Sequence, residues 1–157
     1  MPTDAPCSGD ACPLCGGNAA PWFTDDTRDY LRCLRCGFVH VPAAQRLSLQ
    51  AERDYYLTHR NAVDDAGYRA WLSRLATPLL DRIRPPARGL DFGCGAAPAL
   101  AAMLAEAGFE ITLYDPQFAP DTSVFERDWD FITATEVLEH LHQPAAELER
   151  LWSLLRP

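Results

Sequence analysis

The sequence has little positive charge and no long apolar run. Its 157 residues include 14 Lys and Arg against 22 Asp and Glu, a formal net charge of −8, and the basic residues form no run. An acidic surface repels phosphate groups, which disfavours non-specific binding to nucleic acid and attachment to anionic membranes. The sequence also lacks an apolar stretch of membrane-spanning length and the basic and apolar segments of a signal peptide. We therefore expect a cytoplasmic protein.

The composition is that of a folded protein of modest size. Hydrophobic residues make up 48% of the chain and charged residues 23%, which is not the balance of a disordered tail. The length suits a small module followed by one compact domain. We predict the module over residues 1–42, with a disordered N-terminal segment, and an α/β domain over residues 43–157. In that domain a helical lead-in over 43–85 precedes a sheet-forming half over 86–157.

Four of the six cysteines form two closely spaced pairs, Cys12 with Cys15 and Cys33 with Cys36. Cytoplasmic cysteines are more often metal ligands or buried thiols than disulfides. A two-residue gap lets both thiolates of a pair reach one ion, and the glycine after each second cysteine permits the tight turn. We therefore predict a zinc ribbon with a structural zinc ion, because four cysteines leave no open coordination position. An iron–sulfur or rubredoxin-like iron site and unligated thiols are the alternatives.

The residues around the cysteine pairs are predicted to form strands and to contribute no further metal ligand. Residues 22–32 read as a hairpin that delivers the second pair, and residues 38–41 as a strand that leaves it. Cys7 lies in the segment predicted to be disordered and is treated as a spare thiol. His40 could replace a ligand, but we favour an exposed strand residue because the two pairs already complete the set.

An amphipathic helix is predicted between residues 68 and 83. Apolar side chains recur there at spacings of three and four residues, namely Tyr68, Trp71, Leu72, Leu75, Leu79 and Ile83. Pro78 lies inside the pattern and should kink or split the helix. Four side chains could line a ligand site, although aromatic residues at helical spacing more often belong to a core: Tyr55, Tyr56, His59 and Tyr68.

The next segment reads as a strand, a glycine turn, a helix and a second strand. Residues 89–92 form a short buried strand, Gly93 and Gly95 bracket the turn, and an alanine-rich helix ends at Gly108. The second strand ends in Asp115, 20 residues after Gly95. This arrangement is typical of a nucleotide-binding βαβ unit, in which backbone N–H groups approach the ligand and the acid accepts ribose hydroxyls.

Four segments resemble motifs of the class I S-adenosylmethionine-dependent methyltransferases. L-D-F-G-C-G-A-A-P at residues 90–98 resembles motif I of that family, and L-Y-D-P at 113–116 resembles its second acidic motif. The segment E-V-L-E-H-L at 136–141 is similar to the loop after the family's fourth strand. The tail at 144–157 is similar to the helix before its L-R-P-G-G turn. A zinc ribbon ahead of such a domain is also seen in bacterial members.

The resemblance implies a Rossmann-like sheet that binds S-adenosylmethionine. The positions that match the family's cofactor site are Asp91, Gly93, Cys94, Gly95, Asp115 and Glu136. By this resemblance Asp91 and the glycines would line the methionine and ribose, and Asp115 would bind the ribose hydroxyls. The family's adenine-contacting acid has no clear counterpart, and its strands five to seven do not follow Pro157. We therefore expect a partial sheet in a truncated chain; a reduced relative with an exposed sheet edge is the alternative.

The E-V-L-E-H-L segment also supplies the catalytic candidates. On a helical turn Glu136, Glu139 and His140 would occupy positions i, i+3 and i+4 and share one face. Methyl transfer needs positioning and, where the acceptor is protonated, a base, for which His140 and Glu136 are the candidates, with His142 nearby. The cluster also resembles the divalent-metal site of small-RNA 2′-O-methyltransferases. Alternatively, Glu139 and His140 only cap and orient the loop.

Three functions stay open on the sequence alone. The leading one is a methyltransferase acting on an unidentified small-molecule or macromolecular acceptor, with an oxygen acceptor as one option. The second is a catalytically inactive cofactor-binding or adaptor fragment whose zinc ribbon binds a partner. The third is a nicotinamide- or other nucleotide-binding protein, but Pro98 takes the sixth position from Gly93 and has no N–H to donate to a pyrophosphate.

Overall fold

The computed structural model describes residues 10–58 and 62–157. The chain divides into two compact units, Met1–Glu52 with His142–Leu148 and Arg53–Leu141 with Glu149–Pro157. The module boundary expected near residue 42 stays a prediction. Cys7, the N-terminal segment predicted to be disordered and His59 lie outside the described residues.

The first unit contains a three-stranded antiparallel sheet. Its strands are β1 (Ala19–Thr24), β2 (Asp29–Cys33) and β3 (Val39–His40), in the order β1-β2-β3. The turn from β1 to β2 is organised by Asp25, whose Oδ1 accepts the backbone N–H groups of Thr27 and Arg28 at 2.7 and 2.9 Å. Asp suits this position because its carboxylate substitutes for a backbone acceptor. The predicted hairpin and the strand after it are confirmed.

Two α-helices and a short 3₁₀ helix precede the second sheet. A 3₁₀ helix over Ala43–Gln45 and α1 over Leu49–Tyr56 are followed by α2 over Ala66–Leu80. Asp65 begins α2, because its carboxylate accepts the backbone N–H of Tyr68 at 2.6 Å. Pro78 was expected to kink or split the helix; the split is wrong, since α2 continues through that residue, and the kink stays a prediction.

The apolar face predicted for α2 is partly wrong. Leu72 is buried as expected, and so is Ala76, which was not in the predicted set, whereas Trp71 and Leu75 are 38% and 39% exposed. Ile83, at the same spacing beyond the helix, packs against the core. Apolar spacing identifies the side of a helix that faces a core, but the width of the covered stripe depends on what packs against it.

The second unit contains a three-stranded parallel sheet. Its strands are β4 (Arg88–Phe92), β5 (Glu110–Tyr114) and β6 (Phe131–Thr133), in the order β5-β4-β6. The helix α3 (Ala99–Glu106) connects β4 to β5, and a 3₁₀ helix (Thr122–Glu126) lies between β5 and β6. A further 3₁₀ helix (Leu138–His140) and α4 (Pro144–Ser153) follow β6. The predicted mixed α/β class with a small parallel sheet is confirmed.

Two apolar clusters form the core of the second unit. The first cluster comprises Leu72, Ala76, Ala87, Ala99, Leu100, Leu104, Phe109 and Phe131. The second cluster comprises Leu90, Phe92, Val124, Trp129, Leu151 and Leu154. Residues from Gly89 to Phe92 are all buried, as expected for the central strand of a parallel sheet. None of the described helices is long and apolar enough to span a bilayer.

Candidate functional site

The candidate site lies at the carboxyl ends of the three parallel strands. From β4 the chain passes to β5 on one side, and from β5 it returns to β6 on the other side of β4. In parallel α/β sheets this reversal opens a crevice at the carboxyl end of the central strand, which is where ligands bind. The turn at Gly93–Gly95 follows β4 directly and therefore lies at this position.

Asp91 is buried beneath the glycine turn. It is 4% exposed and its Oδ1 accepts a hydrogen bond of 2.8 Å from the Thr133 hydroxyl. Burial raises the pKa of Asp91 to about 6, although the Thr133 hydrogen bond opposes the shift. Thr133 was not among the sequence candidates. The parallel register that pairs it with Asp91 across β4 and β6 becomes visible only in the sheet.

The two glycines of the turn are needed for different reasons. Both have positive φ, +72° at Gly93 and +65° at Gly95, which side chains rarely adopt. A Cβ on Gly93 would lie 2.4 Å from Cγ2 of Val137, whereas a Cβ on Gly95 would meet nothing within 4 Å. The Val137 side chain therefore packs onto Gly93, whereas Gly95 borders open space in which a ligand could approach the backbone.

Asp115 joins the glycine turn to the end of β5. It is 9% exposed, and its Oδ2 accepts the backbone N–H of Gly95 at 3.1 Å. Its Oδ1 accepts the N–H groups of Gln117 and Phe118 at 2.8 and 3.1 Å. A carboxylate has about four acceptor positions, so these bonds leave room on Oδ2 for about one further donor.

The residues Glu136, Glu139 and His140 do not share a helical face, contrary to the geometry expected from their spacing. The 3₁₀ helix begins only at Leu138, and Glu136 before it has φ of +54°. All three side chains are exposed. The His140 ring contacts the Tyr56 ring edge to face, with the centroids 5.4 Å apart. His142 belongs to the other compact unit, where its carbonyl accepts a bond from Arg46.

Residues from α1 and α2 also reach this site. Arg53 Nη1 donates to the Gln117 carbonyl at 3.3 Å, and its guanidinium lies 5.4 Å from the centre of the Phe118 ring. Burial raises the pKa of Tyr68, and the negative charges of Asp91 and Glu136 raise it further. No pattern in the sequence marks Arg53 or Phe118 as residues of this site.

Of the remaining site candidates, Tyr55 is 57% exposed and is not a core residue. Cys94, inside the glycine turn, is partly buried. Burial, reinforced by the charges of Asp91 and Asp115, raises the pKa of Cys94 to about 12. Cys94 therefore stays a neutral thiol at ordinary pH and is a poor nucleophile.

In the first unit, the four paired cysteines converge. The Sγ atoms of Cys12, Cys15, Cys33 and Cys36 all lie within 4.8 Å of one another. The sulfurs of Cys12 and Cys36 are 3.7 Å apart, and those of Cys15 and Cys33 are 3.5 Å apart. Four sulfurs at the usual Zn–S distance of about 2.3 Å in a tetrahedron would be separated by about 3.8 Å. The donor set therefore fits one tetrahedral metal ion.

Backbone donors support the second cysteine pair. The N–H groups of Arg35 and Cys36 each point at Cys33 Sγ, with nitrogen–sulfur distances of 3.4 Å. The hydrogen bond from Cys36 is the main cause that lowers the pKa of Cys33 to about 6. Within the described part of the chain, these cysteines are the only group of three or more His, Cys, Asp or Glu side chains spaced to hold a metal.

His40 is buried, and the expectation of an exposed strand residue is wrong. It is 7% exposed and its ring stacks on Phe38 at 6.2 Å. In the described structure neither ring nitrogen has a hydrogen-bond partner. The reason is its pairing with Leu31 of β2, which is also buried, so that His40 lies on the covered face of the sheet.

Comparisons with known proteins bear on the second unit. The comparison with curated proteins finds no match. A family described as "Methyltransferase domain" matches residues 57–157, well over half of the chain. The match includes the glycine turn, Asp115 and the segment after β6. The chain therefore belongs to this methyltransferase domain family, as the sequence motifs indicated.

Proposed function

We propose that the chain is an S-adenosylmethionine-dependent methyltransferase with its cofactor site at the carboxyl ends of β4, β5 and β6. The observation that carries the proposal is the hydrogen bond from Gly95 N–H to Asp115, which joins the glycine turn to the acid at the end of the neighbouring strand. The proposed cofactor-binding residues are Asp91, Gly93, Cys94, Gly95, Asp115 and Glu136.

The residues present suit this cofactor. The open space beside Gly95 would admit a ligand against the backbone, and the free acceptor position on Asp115 suits one ribose hydroxyl. Pro98 is the N-cap of α3 and offers no N–H, so this end of the helix lacks a donor that a pyrophosphate would use. The cofactor, when bound, supplies an electrophilic methyl group on a sulfonium. The protein then has only to orient the acceptor and remove its proton.

We assign the proton transfer to His140, with Glu136 beside the cofactor. His140 is exposed at the edge of the site and contacts Tyr56, which limits the orientations of its ring. Histidine is the side chain that most often serves as a general base, which suits a hydroxyl acceptor. We propose an oxygen acceptor as the first class to test, on either a small molecule or a macromolecule.

For the first unit, we propose a zinc ribbon with a structural zinc ion on Cys12, Cys15, Cys33 and Cys36. Four thiolates complete a tetrahedral shell, which leaves no position for a catalytic water. We also propose that the protein works in the cytoplasm, where thiols stay reduced and available to a metal. Its net charge of −8 argues against non-specific nucleic-acid partners.

Calorimetric titration of the full chain with S-adenosylhomocysteine tests the cofactor proposal. We expect saturable binding that is lost in Asp115→Ala and absent when NAD replaces the ligand. Asp121→Ala is the matched control, because Asp121 also caps a turn through the backbone N–H of Ser123 but lies in the next loop. Circular dichroism confirms that each variant is folded. A folded, zinc-loaded chain that binds NAD, or that binds neither ligand, contradicts the proposal.

A further inference from the structure

One side chain packs directly onto the backbone of the glycine turn. The space that a Cβ would occupy on Gly93 is filled by Val137, with Cγ2 at 2.4 Å, Cγ1 at 3.0 Å and Cβ at 3.3 Å from that position. The approach of Cγ2 is closer than real Cβ atoms show, and the other two are at the tight end of ordinary contacts. Gly93 therefore accommodates Val137, and its lack of a side chain serves packing between two loops.

The backbone at Glu136 turns Val137 toward Gly93. Glu136 is the only residue other than glycine with positive φ in the described structure. The next residue, Val137, is the N-cap of the 3₁₀ helix, and its carbonyl accepts the N–H of His140 at 3.0 Å. Its side chain also packs against the second apolar cluster. The strained backbone at Glu136 thus leaves the Glu136 side chain exposed at the site and directs the Val137 side chain inward.

The glycine turn is held from the opposite side by β5. The N–H groups of Gly93 and Cys94 donate to the Tyr114 carbonyl at 2.7 and 3.2 Å, and Gly95 donates to Asp115. On the β5 side the turn is therefore fixed by hydrogen bonds. On the β6 side the close contact is apolar and comes from Val137.

We propose that Val137 is a positioning residue of the cofactor site. It presses the glycine turn against its hydrogen bonds to β5, and so sets the backbone that faces the ligand. It also fixes the loop that presents Glu136 and His140. This inference rests on the proposed function, since it concerns the same site.

Affinity for S-adenosylhomocysteine, measured by calorimetry on the zinc-loaded full chain, tests this role. Val137→Ala removes both Cγ carbons and should weaken binding roughly tenfold, as small misplacements of a site do. Val137→Ile keeps both Cγ carbons and should bind within about threefold of the unmodified chain, because the contact with Gly93 is retained.

Val124→Ala is the matched control: Val124 is 1% exposed in the same apolar cluster. It should lower the unfolding midpoint without changing the affinity of the folded chain.

A double-mutant comparison shows whether Val137 acts through Gly93. Gly93→Ala places a methyl group against Val137 and should weaken binding. In that background Val137→Ala should strengthen binding, which reverses its effect in the unmodified chain. Unchanged affinity in Val137→Ala, or equal losses in Val137→Ala and Val124→Ala, overturns the inference and leaves the proposed function intact. If the unmodified chain does not bind the ligand, both are overturned.

Discussion

The two compact units are stabilised in different ways. The first unit has few buried apolar side chains among its described residues. They include Cys12, Ala19, Leu31 and Cys33. Two of these residues belong to the group of four converging cysteines. The other unit instead contains two apolar clusters, including the fully buried Leu72, Leu90 and Leu104. A small unit with little core needs another source of stability, whereas the larger one can rely on packing.

Removal of the metal should have the largest effect, because it should destabilise the first unit and not the second. Structural zinc contributes about 10–16 kcal/mol in zinc-finger peptides, so chelation should unfold β1–β3 and leave β4–β6 folded. Hydrogen exchange measured before and after chelation separates the two sheets. Cys15→Ser should reproduce the effect, and Cys94→Ser, outside the cluster, is the control. Full amide protection of β1–β3 in the chelated chain would show that the first unit does not depend on a metal.

Within the second unit, Gly93→Ala should lower the free energy of unfolding more than any other substitution considered. The added methyl group collides with Val137 and the residue must keep φ of +72°, which together lower the free energy of unfolding by about 4 kcal/mol. Gly95→Ala, the matched control, has similar φ but open space and should lower it by about 1–2 kcal/mol. Urea denaturation of both variants measures the difference. Equal losses would mean that the contact with Val137 contributes nothing.

Asp91 should make the stability of the second unit depend on pH. Its pKa rises from 3.8 to about 6 on folding, so the neutral carboxyl favours the folded state. This contribution is complete below about pH 4, and about 3 kcal/mol of it is lost as the pH rises through about 6. Asp91→Asn removes the titration. The stability of the unmodified chain minus that of Asp91→Asn should therefore decrease between pH 4 and pH 7, and a constant difference would contradict the account.

The smallest effect is expected at Glu136. Its positive φ costs a side chain about 1 kcal/mol, so Glu136→Gly should be more stable than Glu136→Ala by that amount. Thermal unfolding of the two variants measures this difference. Because both variants lack the carboxylate, the comparison isolates backbone strain. Equal unfolding temperatures would show that the loop after β6 is unstrained.

Local signals explain the parts of the fold that the sequence predicted correctly. The cysteine pairs, the glycine turn and Gly108 each mark a specific backbone conformation. The order of strand, helix and strand around them follows from residue periodicity. The methyltransferase family could also be identified, because its motifs are short contiguous segments.

Features that depend on neighbours distant in the sequence could not be predicted. The burial of His40 depends on its pairing with Leu31, and the exposure of Trp71 depends on what packs against α2. The contact of Val137 with Gly93 joins two loops that only the sheet order brings together. Glu136 was expected in a helical turn, because spacing alone does not reveal a residue with positive φ.

The most direct test of the cofactor site is the change in backbone amide NMR shifts when S-adenosylhomocysteine is added to the zinc-loaded chain. We expect the largest changes at Gly93, Gly95 and Asp115, with smaller ones after β6 and none around Cys12 and Cys36. Saturable changes centred on the cysteine unit, or no changes in a folded chain, would contradict a cofactor site at the carboxyl ends of β4, β5 and β6.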